Sequence, residues 1–390
     1  MQNWQATLRQ MLDRADSLSD TFRARLQSMF GGRDPLHIVP YMGYGTREQF
    51  FLSGRVLAQK SFIPSEEADT VWENLVNTYN RFASDEVPGA HIRARFQDSA
   101  YDTMTDGEGY FRLAFPPGTA LDDRLWYEVA LELLDPRPQG GHQISAMGRV
   151  LVPPATASFG VISDIDDTVV WSNVAAKLHM VVMVALQNAR TRMPFPGVSG
   201  FYRALQQGSS GGEQNPLFYV SSSPWNLYEP LLEFFQIHRI PLGPLFLRDF
   251  GDHLLFGGAH HHHHHKLSQI EPILELYPQL PFVLIGDSGE QDPEIYRQVV
   301  HTFPTRVRVI YIRNVTPDPA RLAAIDALVA EVRQTGCQLI LTPDSEGAAT
   351  HAAAEGLIAT EALTAVRTEK ARDESASDIQ GMVDEPHGDV

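Results

Sequence analysis

The chain has 390 residues, enough for two domains with appendages. Hydrophobic residues make up 43% of it, so ordinary buried cores are within reach. A net charge of −17 excludes the basic footprint of a nucleic-acid binder and works against general adsorption to anionic membranes.

Cys337 stands alone, which rules out an intrachain disulfide and fits a reducing compartment. Residues 1–10 are polar and no apolar signal-peptide core follows. The longest apolar run, Met180 to Leu186, is far short of a membrane span. A soluble, cytoplasmic protein is therefore expected.

In chain order, residues 1–34 read as an amphipathic helix, with Trp4, Leu8, Met11, Leu12, Ala15 and Leu18 at helical spacing. Such a helix packs on a domain surface or lies in a membrane interface, and the absence of basic enrichment favours packing. Residues 35–155 read as a small β-sandwich. Apolar and polar residues alternate over Ile92–Phe96, Phe111–Phe115 and Tyr127–Leu133. The first two runs are joined through Thr105-Asp106-Gly107-Glu108-Gly109, a turn signal. One helix is expected after Pro64-Ser65, with Val71, Trp72, Leu75, Tyr79 and Phe82 on one face.

Residues 156–359 change character. Apolar runs alternate with helical stretches: Phe159–Ile162, Leu217–Val220, Phe282–Ile285, Val307–Ile312 and Cys337–Leu341. Unalternating strands are buried on both faces, which predicts an α/β domain with a parallel sheet under covering helices. Residues 360–390 carry eight acidic against three basic residues and are expected to be a disordered acidic tail.

In such a sheet, ligands bind outside the carboxyl ends of the strands. Ser163-Asp164-Ile165-Asp166-Asp167-Thr168 follows the first run, Ser221-Ser222-Ser223-Pro224-Trp225 the second and Gly286-Asp287-Ser288-Gly289-Glu290-Gln291-Asp292 the third. Lys266 opens a helical stretch between the last two. Phosphoryl transfer needs these parts. Asp164 and Asp287 supply carboxylate oxygens for Mg²⁺. Asp164 can attack phosphorus, and Asp166 can protonate the leaving oxygen and later activate water. Ser221 is expected at a strand-to-helix turn, with Pro224 at the first helical position and backbone N–H groups free for phosphate. Lys266 pairs with Asp164 and offsets charge in the transition state. Taken singly, each element reads as a turn, a cap or a solvated charge; the ordered set of four is the signal.

That set resembles the haloacid dehalogenase superfamily, in Asp164-x-Asp166-x-Thr168, Ser221, Lys266, and Asp287 with Asp292. Longer strings narrow it. Asp164–Thr168, Tyr219–Tyr228 and Gly286–Tyr296 resemble the actin-patch-protein type of Mg²⁺-dependent phosphatidate phosphatase, as do Phe195–Val198, Leu247–Asp249 and, upstream, Tyr41–Thr46. The resemblance spans residues 36–358. It implies a Rossmann-like core with a small helical cap, and the Asp164 strand between those ending at Ser221 and Asp287. It implies Asp164, Asp166, Asp287 and Asp292 as the metal-site residues, Asp292 by holding metal waters. Asp164, Asp166 and Lys266 become the catalytic set, and Thr168, Ser221 and Ser222 the phosphate-binding set. Ser222 departs from the family's frequent Asn.

The activity so implied is Mg²⁺-dependent hydrolysis of phosphatidate to diacylglycerol through an aspartyl-phosphate, in an enzyme touching membrane surfaces transiently. The alternatives are a phosphatase of a soluble phosphomonoester and a binding protein that keeps the fold without turnover. Val174–Leu186, where the superfamily inserts caps, reads as buried packing or as a lipid-facing surface. The run His260–His265 reads as an exposed loop that binds transition metals adventitiously.

Overall fold

In a computed structural model of the chain, the described residues are 36–58, 85–118, 120–136, 143–165, 168–169, 195–248 and 259–383. The expected helices at 1–34 and after Pro64, Asp166 and Asp167, and the Val174–Leu186 segment all lie outside them.

The all-apolar runs form a six-stranded, wholly parallel sheet: β10 (Gly160–Asp164), β11 (Leu217–Pro224), β12 (Leu245–Arg248), β13 (Phe282–Asp287), β14 (Val307–Arg313) and β15 (Gln338–Thr342). Its order is β12-β11-β10-β13-β14-β15, so the Asp164 strand lies between those ending near Ser221 and Asp287, as expected. Helices cover both faces. On one face lie α1 (Val198–Gln207), α2 (Tyr228–Ile237), α6 (Ser345–Ala354) and α7 (Ala362–Val383), filled by residues such as Phe201, Phe235, Ala349 and Val366. On the other lie α3 (Ala259–Leu276), α4 (Asp292–Thr302) and α5 (Pro319–Arg333), filled by Ile270, Leu274, Val299 and Ile325. Two apolar faces on each strand explain why these runs do not alternate. Among the described residues, no helix is long and apolar enough to cross a membrane.

The preceding β region consists of β1 (Leu36–Pro40), β2 (Gly43–Gly45), β3 (Phe50–Ala58), β4 (Asp85–Glu86), β5 (His91–Phe96), β6 (Ser99–Met104), β7 (Tyr110–Phe115), β8 (Trp126–Asp135) and β9 (Ile144–Leu151). Hydrogen bonds join them into one nine-stranded sheet. The Phe50 ring on β3 meets Phe96, Phe115 and Tyr127 from three other strands, so the sheet curls until its apolar face closes on itself. Truncating Phe50 to Ala would cost about 3–5 kcal/mol. Ile92–Phe96 and Phe111–Phe115 are not direct partners: β6 lies between them in sequence and pairs with β5. Its residues Ser99 to Met104 are mostly polar or half-buried, so no apolar alternation announces the strand.

Two further expectations are corrected. The segment read as a disordered tail forms α7 as far as Val383. Its charges are consumed in docking: Glu369 pairs with Arg203, Arg367 with Glu346, and Lys370 with Asp344 at 2.6 Å, while Val366 is buried. The Asp373 carboxylate accepts the Gly197 N–H at 3.1 Å, just before α1. The run His260–His265 is not a loop but the opening turns of α3. It contains no Gly or Pro, and the helix that carries Lys266 extends back through it.

Segment 41–46 docks the β region onto the parallel sheet. Tyr41 stacks on Trp225 with ring centroids 4.3 Å apart. The Met42 N–H donates to the Tyr228 hydroxyl at 2.6 Å, and the Tyr277 hydroxyl donates to the Gly45 carbonyl at 3.1 Å. Tyr44 lies beside Phe246 of β12.

Candidate active site

Asp164 ends β10 and is 1% exposed, with Asp287 ending β13 and equally sealed. Asp292 opens α4, so the Gly286–Asp292 turn returns it beneath the β13 end. One oxygen each of Asp164, Asp287 and Asp292 lies within 4.8 Å of the other two. Gly286 makes this approach possible: a Cβ there would stand 2.3 Å from Asp292 Oδ2.

Lys266 projects from α3 into the same space and is 2% exposed. Its Nζ lies 2.9 Å from Asp164 Oδ1, 2.6 Å from Asp292 Oδ1 and 2.9 Å from Glu290 Oε2. Burial alone would lower the Lys266 pKa, but Asp164, Asp292 and Glu290 outweigh it and hold the ammonium well above its ordinary value. The carboxyls respond oppositely. Burial, then the charge of Asp292, pushes Asp287 well above the usual carboxylate range. Burial also raises Asp292, against the pull of Lys266. One ammonium does not neutralise this cluster.

The oxygens are used unequally. Asp287 Oδ1 accepts the N–H groups of Gly289 at 2.6 Å and Glu290 at 3.0 Å. Asp287 Oδ2 is buried with no hydrogen-bond partner among the described residues, and so is Thr168 Oγ1. Asp292 has both oxygens engaged, Oδ1 by Lys266 and Oδ2 by the Asp287 N–H at 3.2 Å. Asp292 therefore orients the cluster, while Asp287 keeps an oxygen aimed inward.

Of the residues singled out in the sequence, Asp164, Lys266, Asp287 and Asp292 lie together in the structure. Thr168, Ser221 and Ser222 are buried as well. Ser221 lies near the end of β11 before a helical stretch, but the helical start is one residue later than expected: β11 continues through Pro224, which pairs with Arg248 across a register shift, and a 3-10 turn (Trp225–Leu227) opens the way into α2. The Ser221 hydroxyl accepts the Ser223 N–H at 2.9 Å within this strand end. Glu290 also reaches Lys266, and nothing in its spacing in the sequence signals this contact. Behind Asp164, Ser163 Oγ and Tyr202 Oη lie 2.7 Å apart, a second contact with no sequence signal.

Residues 159–314 match the family model described as the catalytic domain of phosphatidate phosphatase APP1. That segment is similar to APP1-type catalytic domains. Phosphatidate phosphatase APP1 of Saccharomyces cerevisiae is 30% identical over 154 residues, which cover 40% of this chain and 25% of that protein. An uncharacterized protein of Schizosaccharomyces pombe is 32% identical over 224 residues, 56% of this chain and 35% of that protein. The chain thus spans about a third or less of the curated relatives it matches. A solved carbohydrate acetylesterase from Xanthomonas citri aligns over 75% of this chain and 72% of its own at 13% identity, but its TM-score of 0.25 is too low to carry an argument. The APP1-type match covers every strand end that contributes to the carboxylate cluster.

Proposed function

We propose that this chain hydrolyses phosphate monoesters, phosphatidate foremost, with Mg²⁺ and through a phosphorylated Asp164. One observation carries the reading: a buried lysine and three buried aspartates converge at the carboxyl edge of a parallel sheet, within an APP1-type segment. The order of strands around Asp164 supports a haloacid-dehalogenase-like core, with the curled β region as a separate domain before it.

The residues fit a divalent cation. The donors are all oxygens, the cluster has excess negative charge, and Asp287 Oδ2 lacks a partner among the described residues. Hard oxygen donors favour Mg²⁺ over Zn²⁺ or Ni²⁺. Asp164 and Asp287 would hold it, with Asp166, and Asp292 would act from behind through Lys266 and the metal's waters. Bound there, Mg²⁺ would neutralise phosphate charge.

The rest is done by the chain's own groups. An Asp164 oxygen attacks phosphorus, and the ester O–P bond breaks as Asp166 gives the leaving oxygen a proton. Asp166 then takes a proton from water, the water oxygen attacks phosphorus, and phosphate leaves as Asp164 is restored. Lys266 keeps Asp164 ionised and offsets charge on the equatorial oxygens. Thr168, Ser221 and Ser222 offer hydroxyls to those oxygens. The setting we propose is the cytoplasm, with transient membrane contact through the 174–186 segment.

The test is phosphate release from phosphatidate in detergent micelles, measured against a panel of soluble phosphomonoesters. A preference for phosphatidate supports the reading; a uniform preference for soluble esters replaces the substrate and leaves the chemistry; no turnover of any ester leaves a binding protein. Asp166→Asn should slow alkyl phosphates more than p-nitrophenyl phosphate, whose leaving group needs little proton assistance. Equal losses on both would remove Asp166 from the proton transfer.

A further inference from the structure

The acidic turn after β13 is held from outside by a residue that belongs to none of the motifs. Arg321 lies on α5, beyond residue 314 where the family match ends. Its guanidinium makes four hydrogen bonds. Nε donates to the Ser288 carbonyl at 2.9 Å, and Nη2 donates to the Glu290 carbonyl at 2.6 Å. Nη1 and Nη2 bind the two carboxylate oxygens of Glu294 on α4, the second at 3.0 Å.

The two carbonyls flank the backbone whose N–H groups at Gly289 and Glu290 hold Asp287 Oδ1. Glu290 in turn places its carboxylate on Lys266. Ser288 is fixed on its other side, its N–H donating to the Arg313 carbonyl and its hydroxyl accepting the Val315 N–H, each at 2.9 Å. Besides Lys266, the turn is therefore held from the β14 end and by the Arg321 fork, and the fork ties α5 to both the turn and α4. A planar fork suits this task because it satisfies two carbonyls and a carboxylate at fixed angles, which a lysine ammonium does not.

We propose that Arg321 is a positioning residue for the metal site, clamping residues 288–290 so that Asp287 Oδ2 stays aimed at the cation. The inference rests on the metal reading given above. It predicts that loosening the clamp weakens Mg²⁺ binding while leaving the chemical step nearly intact once the cation saturates. The probe is Mg²⁺ alone, titrated into the full chain by calorimetry, with the half-saturating Mg²⁺ concentration in phosphate release as a second readout.

Arg321→Gln and Arg321→Lys should each raise the Mg²⁺ Kd by about tenfold, the scale seen when a group supporting metal ligands is lost. Glu294→Gln, which weakens the fork without touching the turn, should shift it in the same direction by less. The double variant Arg321→Gln with Glu294→Gln should be no worse than Arg321→Gln alone, since both changes break one clamp. Should Arg321→Gln fail to fold, the Lys and Glu294 variants carry the comparison. Unchanged Kd values in folded variants, with wild type binding Mg²⁺, would overturn the role of Arg321 alone. No Mg²⁺ binding by wild type would overturn the metal reading beneath it.

Discussion

Lys266 and Lys370 each face three carboxylates, and little else about them is alike. Lys266 meets Asp164, Glu290 and Asp292 within 2.9 Å, sealed at 2% exposure. Lys370 meets Asp344 at 2.6 Å, Glu346 at 3.2 Å and Glu374 at 4.0 Å, at 21% exposure. Around Lys370, partial burial pushes the Asp344 carboxyl up, but the hydrogen bonds from Lys370 and the Gly347 N–H, with the charges of Lys370 and Arg313, together outweigh it and the carboxyl sits below its ordinary value. Glu346 is also lowered, first by Arg367 and then by Lys370. Around Lys266 the balance reverses: burial dominates, and Asp287 and Asp292 are both pushed up. One lysine facing three carboxylates is part of a satisfied surface clasp, with Arg367 as a second cation, in one place and of a buried cluster with a further carboxylate, Asp287, in the other. Water makes the difference, because it screens the first and is excluded from the second.

The largest effect should come from Lys266→Met. It strands buried carboxylates, so the metal-free protein should lose about 3–5 kcal/mol of unfolding free energy in urea titrations. Turnover should vanish. A loss under about 1 kcal/mol would mean that the cluster behaves like a surface pair, and the contrast would fail.

Asp287→Asn should act oppositely on stability. The Asn oxygen can still accept the N–H groups of Gly289 and Glu290, and one buried charge is gone. In chelator the variant should be more stable than wild type by on the order of 1–2 kcal/mol near neutral pH. The sign follows from the raised carboxyl. A folded-state pKa above the unfolded one means that the ionised group opposes folding at high pH and not below the unfolded value. The advantage should thus shrink as pH falls towards about 4, the ordinary Asp value. Melting curves at several pH values decide it, and a variant less stable at every pH would contradict the excess-charge account.

Lys370→Met should matter least, lowering the melting temperature by no more than about 2 °C near neutral pH. Asp344 has a depressed carboxyl, so what it contributes is present above its unfolded value and lost as pH falls through the folded one. The variant should therefore show a weaker loss of stability on acidification below about pH 4 than wild type.

Much of the site was legible in the sequence, because three of its parts end unalternating apolar runs. Asp164, Ser221 and Asp287 announce themselves in this way, and Lys266 through its place between two of them. Residues acting from a distance left no such mark. Glu290 reaches Lys266 across 24 positions, and Arg321 reaches the turn from a helix that reads as ordinary surface. The same limit applies to the fold. β10, β11 and β13 are visible as apolar runs, whereas β6 is hidden by its polar residues and β12 is only four residues long. Composition misled on α7, since Glu369 pairs with Arg203 of α1 while Arg367 and Lys370 pair with Glu346 and Asp344 at the start of α6, and pairing partners cannot be read from a count.

The claim that joins these observations is that Asp164 carries the phosphoryl group. The most direct measurement is an acid quench of the enzyme during turnover, followed by mass spectrometry of the peptide containing Asp164, in wild type and in Asp164→Asn. The account predicts a phosphoryl adduct on Asp164 in wild type, none in the variant, and a fall in turnover of at least about a thousandfold, or about 4 kcal/mol of transition-state stabilisation. Turnover in Asp164→Asn within about tenfold of wild type would contradict it.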